Sequence, residues 1–194
     1  MNPLNTIKGT VIAGILLSII IGVITMGANL NVPSLIIWIH VLAGIMWIGL
    51  LYYFNFVQVP ALAEAMSDKE GPGGAGITKY VAPKALFWFR WGAVLTWLSG
   101  AAYLGHLGIF ADAFLLSGAS FTIGIGAWLG TIMLFNVWVL IWPNQKKILG
   151  IIEATTEEIA KAKKTAFLAS RTNTLLSVPM LMSMVGYGHG GFFI

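Results

Sequence analysis

Three histidines, His40, His106 and His189, are the imidazoles of a chain that has no cysteine. Neutral imidazole offers a lone pair to iron, copper or zinc. Two of them on facing helices would suit the axial positions of a b-type haem. The lack of cysteine excludes disulfides, thiolate zinc sites, iron–sulfur clusters and haem attachment through C-x-x-C-H. A second polar set comprises Arg90, Asn136, Arg171 and Asn173, with Asn55 and Gln58. Guanidinium forks and carboxamides suit a planar polar or anionic ligand. The same residue types glue transmembrane helices together, and arginines near a bilayer surface reach out to lipid phosphates. There is no Walker loop, nucleophile elbow or H-E-x-x-H helix.

Spacing sharpens both sets. His40 and Gln58 are eighteen residues apart, as are Arg171 and His189. Eighteen helical steps return to one face about 27 Å away. The stripe His40, Gly44, Trp47, Leu51, Asn55 and Gln58 is expected to point into a helical bundle. The face shared by Arg171 and His189 is expected to do the same. His106 is sixteen residues from Arg90, about 160° around the helix, so if one faces inward the other does not. Small residues beside His40 (Gly44) and His189 (Gly186, Gly188, Gly190, Gly191) would let a flat macrocycle approach the backbone. The residues leave three readings open: a haem pair at His40 and His189 with His106 as substitute, a copper or zinc site, or histidines that only satisfy hydrogen bonds.

The elements that must position these groups follow from composition. Of 194 residues, 58% are hydrophobic and 9% charged, with mean hydropathy +0.86. Soluble domains carry about 25% charged residues. Lipid must therefore solvate most of this surface. Five uncharged or nearly uncharged runs are each long enough to cross about 30 Å of hydrocarbon: roughly 9–28, 33–58, 85–107, 121–142 and 172–192. The expected fold is all-α, a single transmembrane domain over 1–194. The first run exceeds a signal-peptide core and lacks a cleavage site, so it is expected to stay.

Connections set the orientation. Lys146, Lys147, Lys161, Lys163, Lys164 and Arg171 crowd the segment 143–171, and Lys69, Lys79 and Lys84 lie in 59–84. The segments 29–32 and 108–120 contribute only Asp112. The positive-inside rule puts the N-terminus and both long loops in the cytoplasm and the C-terminus outside. All three histidines then lie near the outer surface. Ile148, Ile151, Ile152, Thr155, Ile159 and Ala162 recur at helical spacing, so 145–165 is expected to form an amphipathic cytoplasmic helix, or to extend the fifth span. Gly126-x-x-x-Gly130 suits close helix packing. Trp38, Trp128, Trp138 and Trp142 suit an interfacial belt, whereas Trp47 and Trp97 lie deeper. A net charge of +4 reports topology here and does not imply nucleic acid binding.

Several long stretches carry a family resemblance. They are Trp38 to Gln58 (WIHVLAGIMWIGLLYYFNFVQ), Pro83 to Gly92 (PKALFWFRWG), Gly126 to Trp138 (GAWLGTIMLFNVW), Ile141 to Lys147 (IWPNQKK) and Ala169 to Met180 (ASRTNTLLSVPM). They resemble the N-terminal membrane domain of the bacterial urate oxidase family (PuuD), in which this domain precedes a cytochrome c domain. The resemblance implies a multi-pass protein of the bacterial inner membrane. It implies oxidation of urate to 5-hydroxyisourate with electrons passed to cytochrome c. The sequence ends at Ile194 without a cysteine, so the electron acceptor is expected to be a separate periplasmic cytochrome c. The expectation is thus a haem-b-bearing redox protein, with His40 and His189 as ligands and Arg90, Asn136, Arg171 and Asn173 as a polar substrate site. A reading from another class is a non-catalytic membrane subunit, without cofactor, packed beside other membrane subunits.

Overall fold

The computed structural model describes residues 2–191, and every regular element among them is helical. The chain divides into two units, Met1–Leu35 and Ile36–Ile194. The first holds helix α1, Ile7–Met26, capped by the Thr6 hydroxyl, which accepts from the Gly9 N–H. Gly27 ends α1 at φ +86°, a conformation that costs glycine little.

Helix α2, Val32–Tyr53, continues through a π-helical turn, Phe54–Gln58, into α3, Val59–Ser67. A π turn at Ile77–Val81 leads into α4, Ala82–His106. The short α5, Phe110–Phe114, connects to α6, Phe121–Phe135. That helix passes through a third π turn, Asn136–Ile141, into α7, Trp142–Ile148. Helix α8, Thr156–Gly188, completes the described chain.

One cause accounts for all three π turns. Each precedes a proline by two residues: Pro60, Pro83 and Pro143. Proline has no N–H, and its ring clashes with the carbonyl four residues earlier. Those carbonyls belong to Phe56, Lys79 and Val139, inside the widened turns, where the π pitch gives the ring room.

Contacts in the second unit show how the long helices are ordered. His40 on α2 lies against Gly100 of α4, while Trp47 lies against Gly92. Trp97 of α4 donates to Thr131 of α6, while Trp91 stacks on Trp138. Gly126 of α6 meets Ser183 of α8, while the Met133 carbonyl meets Asn173. Tyr52 bonds to Ser177, while Asn55 bonds to Ser170. In each pair one number rises as the other falls. Helices α2, α4, α6 and α8 therefore form an antiparallel ring of four.

The ring encloses an apolar core around Trp47, Leu51, Phe89, Met133 and Val137, with its polar side chains turned inward and an apolar outer surface. Asn55, Arg90, Thr96, Ser99, Asn136, Asn173, Ser177 and Ser183 are buried. Ile45, Leu98, Phe135, Leu175 and Val178 are exposed. In water this arrangement would be unstable; in lipid the outer faces meet their natural solvent. Three helical stretches, Ile7–Met26, Val32–Ser67 and Gly118–Ile148, are long and apolar enough to cross a membrane. The other two expected spans fall in α4 and α8. Both have the length, but α4 carries Lys84, Arg90 and several Trp and Gly, and α8 begins with charged turns.

The GxxxG pair of α6 faces α8. A Cβ at Gly126 would stand 3.1 Å from Met184 Cε and 3.2 Å from Ser183 Cβ, and Gly130 faces Met180 Sδ. Gly126→Val is expected to destabilise the fold by about 1–3 kcal/mol, because the added carbons must push two packed helices apart. Thermal unfolding in detergent measures this.

The helix expected over 145–165 is split. Helix α7 ends at Ile148, Gly150 takes φ +69°, and α8 starts at Thr156. The second half extends the fifth hydrophobic run, one of the two alternatives drawn from the sequence. A capping box sets the restart: Thr155 Oγ1 accepts from the Glu158 N–H, and Glu158 accepts from the Thr155 N–H. Lys147 Nζ bridges to Glu158 at 3.3 Å. The Thr155 N–H, then Lys147, hold the Glu158 carboxyl below its ordinary range. A depressed acid stabilises the fold above the unfolded value, about 4.3, and loses that contribution as pH falls through the folded one. Intrinsic-rate-corrected hydrogen exchange at residues 156–159 is expected to be level above about pH 5 and to rise below about pH 4.

Candidate functional site

His40 sits on α2 against α4. Its Nδ1 lies 2.8 Å from the Thr96 carbonyl oxygen and 3.3 Å from Ser99 Oγ. A carbonyl can only accept, so Nδ1 carries the hydrogen and Nε2 carries the lone pair. This is the second-sphere arrangement that orients a metal-binding imidazole. The ring rests on Gly100, where a Cβ would stand 3.0 Å from Cε1. The backbone of α4 approaches that closely because position 100 has no side chain. A histidine with a fixed tautomer, an open Nε2 and a glycine floor is compatible with an axial haem ligand.

The other two histidines stand apart from this arrangement. His189 follows the last residue of α8 and is exposed, with Nδ1 bonded to the Val185 carbonyl of its own helix at 2.9 Å. It has the same tautomer as His40. His106 occupies the exposed last turn of α4, while Arg90 is buried, as sixteen residues along one helix require. Neither imidazole hydrogen bond joins two histidines. Among the described residues, no three His, Asp or Glu side chains gather as a metal-binding group.

The polar set separates into three parts. Asn136 and Asn173 form a direct pair: Asn136 Nδ2 donates to Asn173 Oδ1 at 2.8 Å, and Asn173 Nδ2 donates to the Met133 carbonyl at 3.0 Å. Asn173 is fully buried. Asn55, in the first π turn, donates to the Leu51 carbonyl and to Ser170 Oγ. These carboxamides tie α2 and α6 to α8.

Arg90 forms the second part. It is buried, with its guanidinium 3.3 Å over the Trp142 ring centre and 5.9 Å from that of Trp138. Its Nε has no hydrogen-bond acceptor. Arg171 is the third part and departs from the sequence expectation. It is exposed, and its guanidinium stacks on Phe167 of the same helix at 5.2 Å. The inward face of α8 runs through Ala162, Ala166, Ala169, Asn173, Ser177, Met180 and Ser183. Arg171 is two residues, about 200°, from Asn173 and cannot share that face. The face through Arg171 and His189 therefore points away from the helices that α8 packs against.

The α2 stripe agrees with expectation: Trp47, Leu51 and Asn55 are buried. His40 lies ten residues from the level of Arg90 along α4, about 15 Å, and fifteen residues from Asn55 along α2, about 22 Å. The sequence reading missed the Tyr52–Ser177 bond and the stack of Arg90 on Trp142. A Trp immediately after one Pro-widened turn and an Arg seven residues after the proline of another were the available signal for the stack.

Fold and site together define an integral membrane helical bundle with an oriented histidine between two helices and a carboxamide network in its other half. The chain matches the family described as Urate oxidase N-terminal over residues 29–117 and 106–193, and it belongs to that family. Helix α1 precedes the matched residues. No curated protein and no solved structure matches the chain.

Proposed function

We propose that this protein is a membrane redox protein of the urate oxidase type, holding haem b through His40 and passing electrons to a separate cytochrome c. Family membership supports the redox class. The observation that carries the cofactor is the Nδ1–H bond of His40 to Thr96, which leaves Nε2 free. Bound haem b would supply one-electron transfer. The chain's own residues orient the ligand: Thr96 fixes the tautomer, Ser99 is a second acceptor for Nδ1–H, and Gly100 admits the ring. His189 is the proposed second ligand, with His106 as its substitute, and either exposed imidazole would have to turn toward the bundle to meet the haem.

Oxidation of urate to 5-hydroxyisourate consumes one water and releases two protons and two electrons, so two cytochrome c molecules accept one electron each. On this reading the substrate meets the protein at the histidine end. The pair Asn136 and Asn173 bonds to itself and to the Met133 carbonyl, and acts as structural glue. Five spans, a cytoplasmic N-terminus and residence in a bacterial inner membrane complete the proposal, since the histidine end then faces a periplasmic cytochrome c.

The absorption spectrum of detergent-purified protein tests this. A Soret band with one haem per chain is expected, followed by urate-dependent reduction of added cytochrome c. Haem without urate activity removes the substrate and keeps the redox site. Absence of both haem and bound metal leaves the alternative, a non-catalytic subunit of a larger membrane complex.

A further inference from the structure

Arg90 has a full positive charge and five N–H donors, is buried, and makes no hydrogen bond or salt bridge among the described residues. The one ion pair there is Lys147–Glu158. The Arg90 Nε is buried without an acceptor while the end of the guanidinium reaches the surface, and a charge in an apolar setting without a counter-ion is costly, aromatic faces offsetting only part of the cost. A second cation adds to it, since Lys146 Nζ lies 6.0 Å from the same Trp142 ring. Arg90 and Lys146 thus place two cations around one indole, and neither is paired with a carboxylate among the described residues.

A groove lies next to this two-cation seat, on the far side of Trp138. Val94, Trp97, Thr131, Leu134, Phe135 and Trp138 line a cleft between α4 and α6 that is almost wholly apolar. Thr131 presents no free hydroxyl donor, because it donates to the Ala127 carbonyl while accepting from Trp97. Val94 and Trp97 follow Arg90 at helical spacings of four and seven, so all three lie on one face of α4. Trp138 belongs to both features: it lines the groove, and Arg90 approaches its ring.

We infer that this face binds one anionic phospholipid, its phosphate on Arg90 and Lys146 and one acyl chain in the groove between α4 and α6. Guanidinium matches phosphate oxygens in a fork, and a charge-assisted pair in a low-dielectric setting is strong. A zwitterionic headgroup brings its own cation and satisfies a two-cation seat less well. A free oxyanion shares the phosphate chemistry but leaves the groove empty.

Native mass spectrometry of the full chain in detergent distinguishes these sources. The probes are equimolar dioleoyl phosphatidylglycerol and dioleoyl phosphatidylcholine, with inorganic phosphate in a separate arm. One phosphatidylglycerol per chain is expected to be retained over phosphatidylcholine, about tenfold weaker or worse in Arg90→Gln, as for loss of a charged hydrogen bond. Val94→Trp keeps Arg90 and fills the groove. It is expected to lose phosphatidylglycerol as well, which covers the case that Arg90→Gln fails to fold. Equal retention of the two lipids, undiminished phosphatidylglycerol in either variant, or its displacement by millimolar inorganic phosphate would overturn the lipid site.

Discussion

Replacing His40 by alanine is expected to remove the haem absorption of the purified protein while leaving its helical content intact. The imidazole is held by the Thr96 carbonyl at 2.8 Å and by a glycine floor at Gly100, so its position is fixed before any ligand arrives. Its removal deletes the lone pair at Nε2 together with one α2–α4 hydrogen bond, the one to the Thr96 carbonyl, while the rest of the buried core keeps its contacts. His106→Ala is the comparison. His106 is exposed on the last turn of α4, and its loss is expected to leave most of the absorption in place. Reduced-minus-oxidised spectra and pyridine haemochrome content, with circular dichroism as the fold control, measure both variants. Full haem content in His40→Ala would refute the ligand assignment.

Asn173→Ala carries the second large effect, this time on stability. Asn173 is fully buried and engaged at both ends, accepting from Asn136 and donating to the Met133 carbonyl. The substitution leaves the Asn136 amide without its acceptor and opens a small cavity. Single interhelical bonds in membranes contribute about 0.6 kcal/mol on average and up to about 1.7. Two lost bonds plus the stranded amide should together cost about 2–3 kcal/mol. A lower unfolding temperature in detergent reports the loss. The double variant Asn136→Leu/Asn173→Leu should recover part of it, because an apolar pair has no stranded donor. Additivity of the two single variants would show that the pair contributes nothing as a pair.

The two effects fall in different halves of the bundle, about 20 Å apart in level along α2, since Asn173 lies between the residues that meet Tyr52 and Asn55. The Asn136–Asn173 bond assigns the carboxamide layer to architecture, and among the histidines only His40 pairs a free Nε2 with a hydrogen bond to a neighbouring helix. The proposed lipid seat uses a third group, Arg90, whose donors the bundle does not satisfy.

Much of the fold was legible in the sequence. The apolar runs lie in α1, α2, α4, α6 and α8, because backbone groups in hydrocarbon must bond within their own helix. The α2 stripe from Trp47 to Asn55 was legible from helical period alone. The same arithmetic failed on α8. There eighteen-residue spacing joined Arg171 to His189, but period gives relative angles and never says which face turns inward. Small residues and Asn173 decided that face, since they let α6 and α8 approach at Gly126 and Gly130. The break between α7 and α8 was hidden as well: Ile148, Ile151 and Ile152 keep helical spacing, while the Thr155–Glu158 capping box restarts the helix beyond Gly150.

The sequence by itself determined that lipid is the solvent, where the apolar helices run, and that imidazoles and carboxamides occupy opposite halves of them. Only the tertiary structure decided which polar groups meet. Asn136 reached Asn173 and Arg90 reached Trp142 because hydrogen-bond and stacking partners depend on the facing and register of separate helices. His40 gained its fixed tautomer from a carbonyl fifty-six residues away. A main-chain acceptor has no residue type, so no side-chain pattern could have announced it.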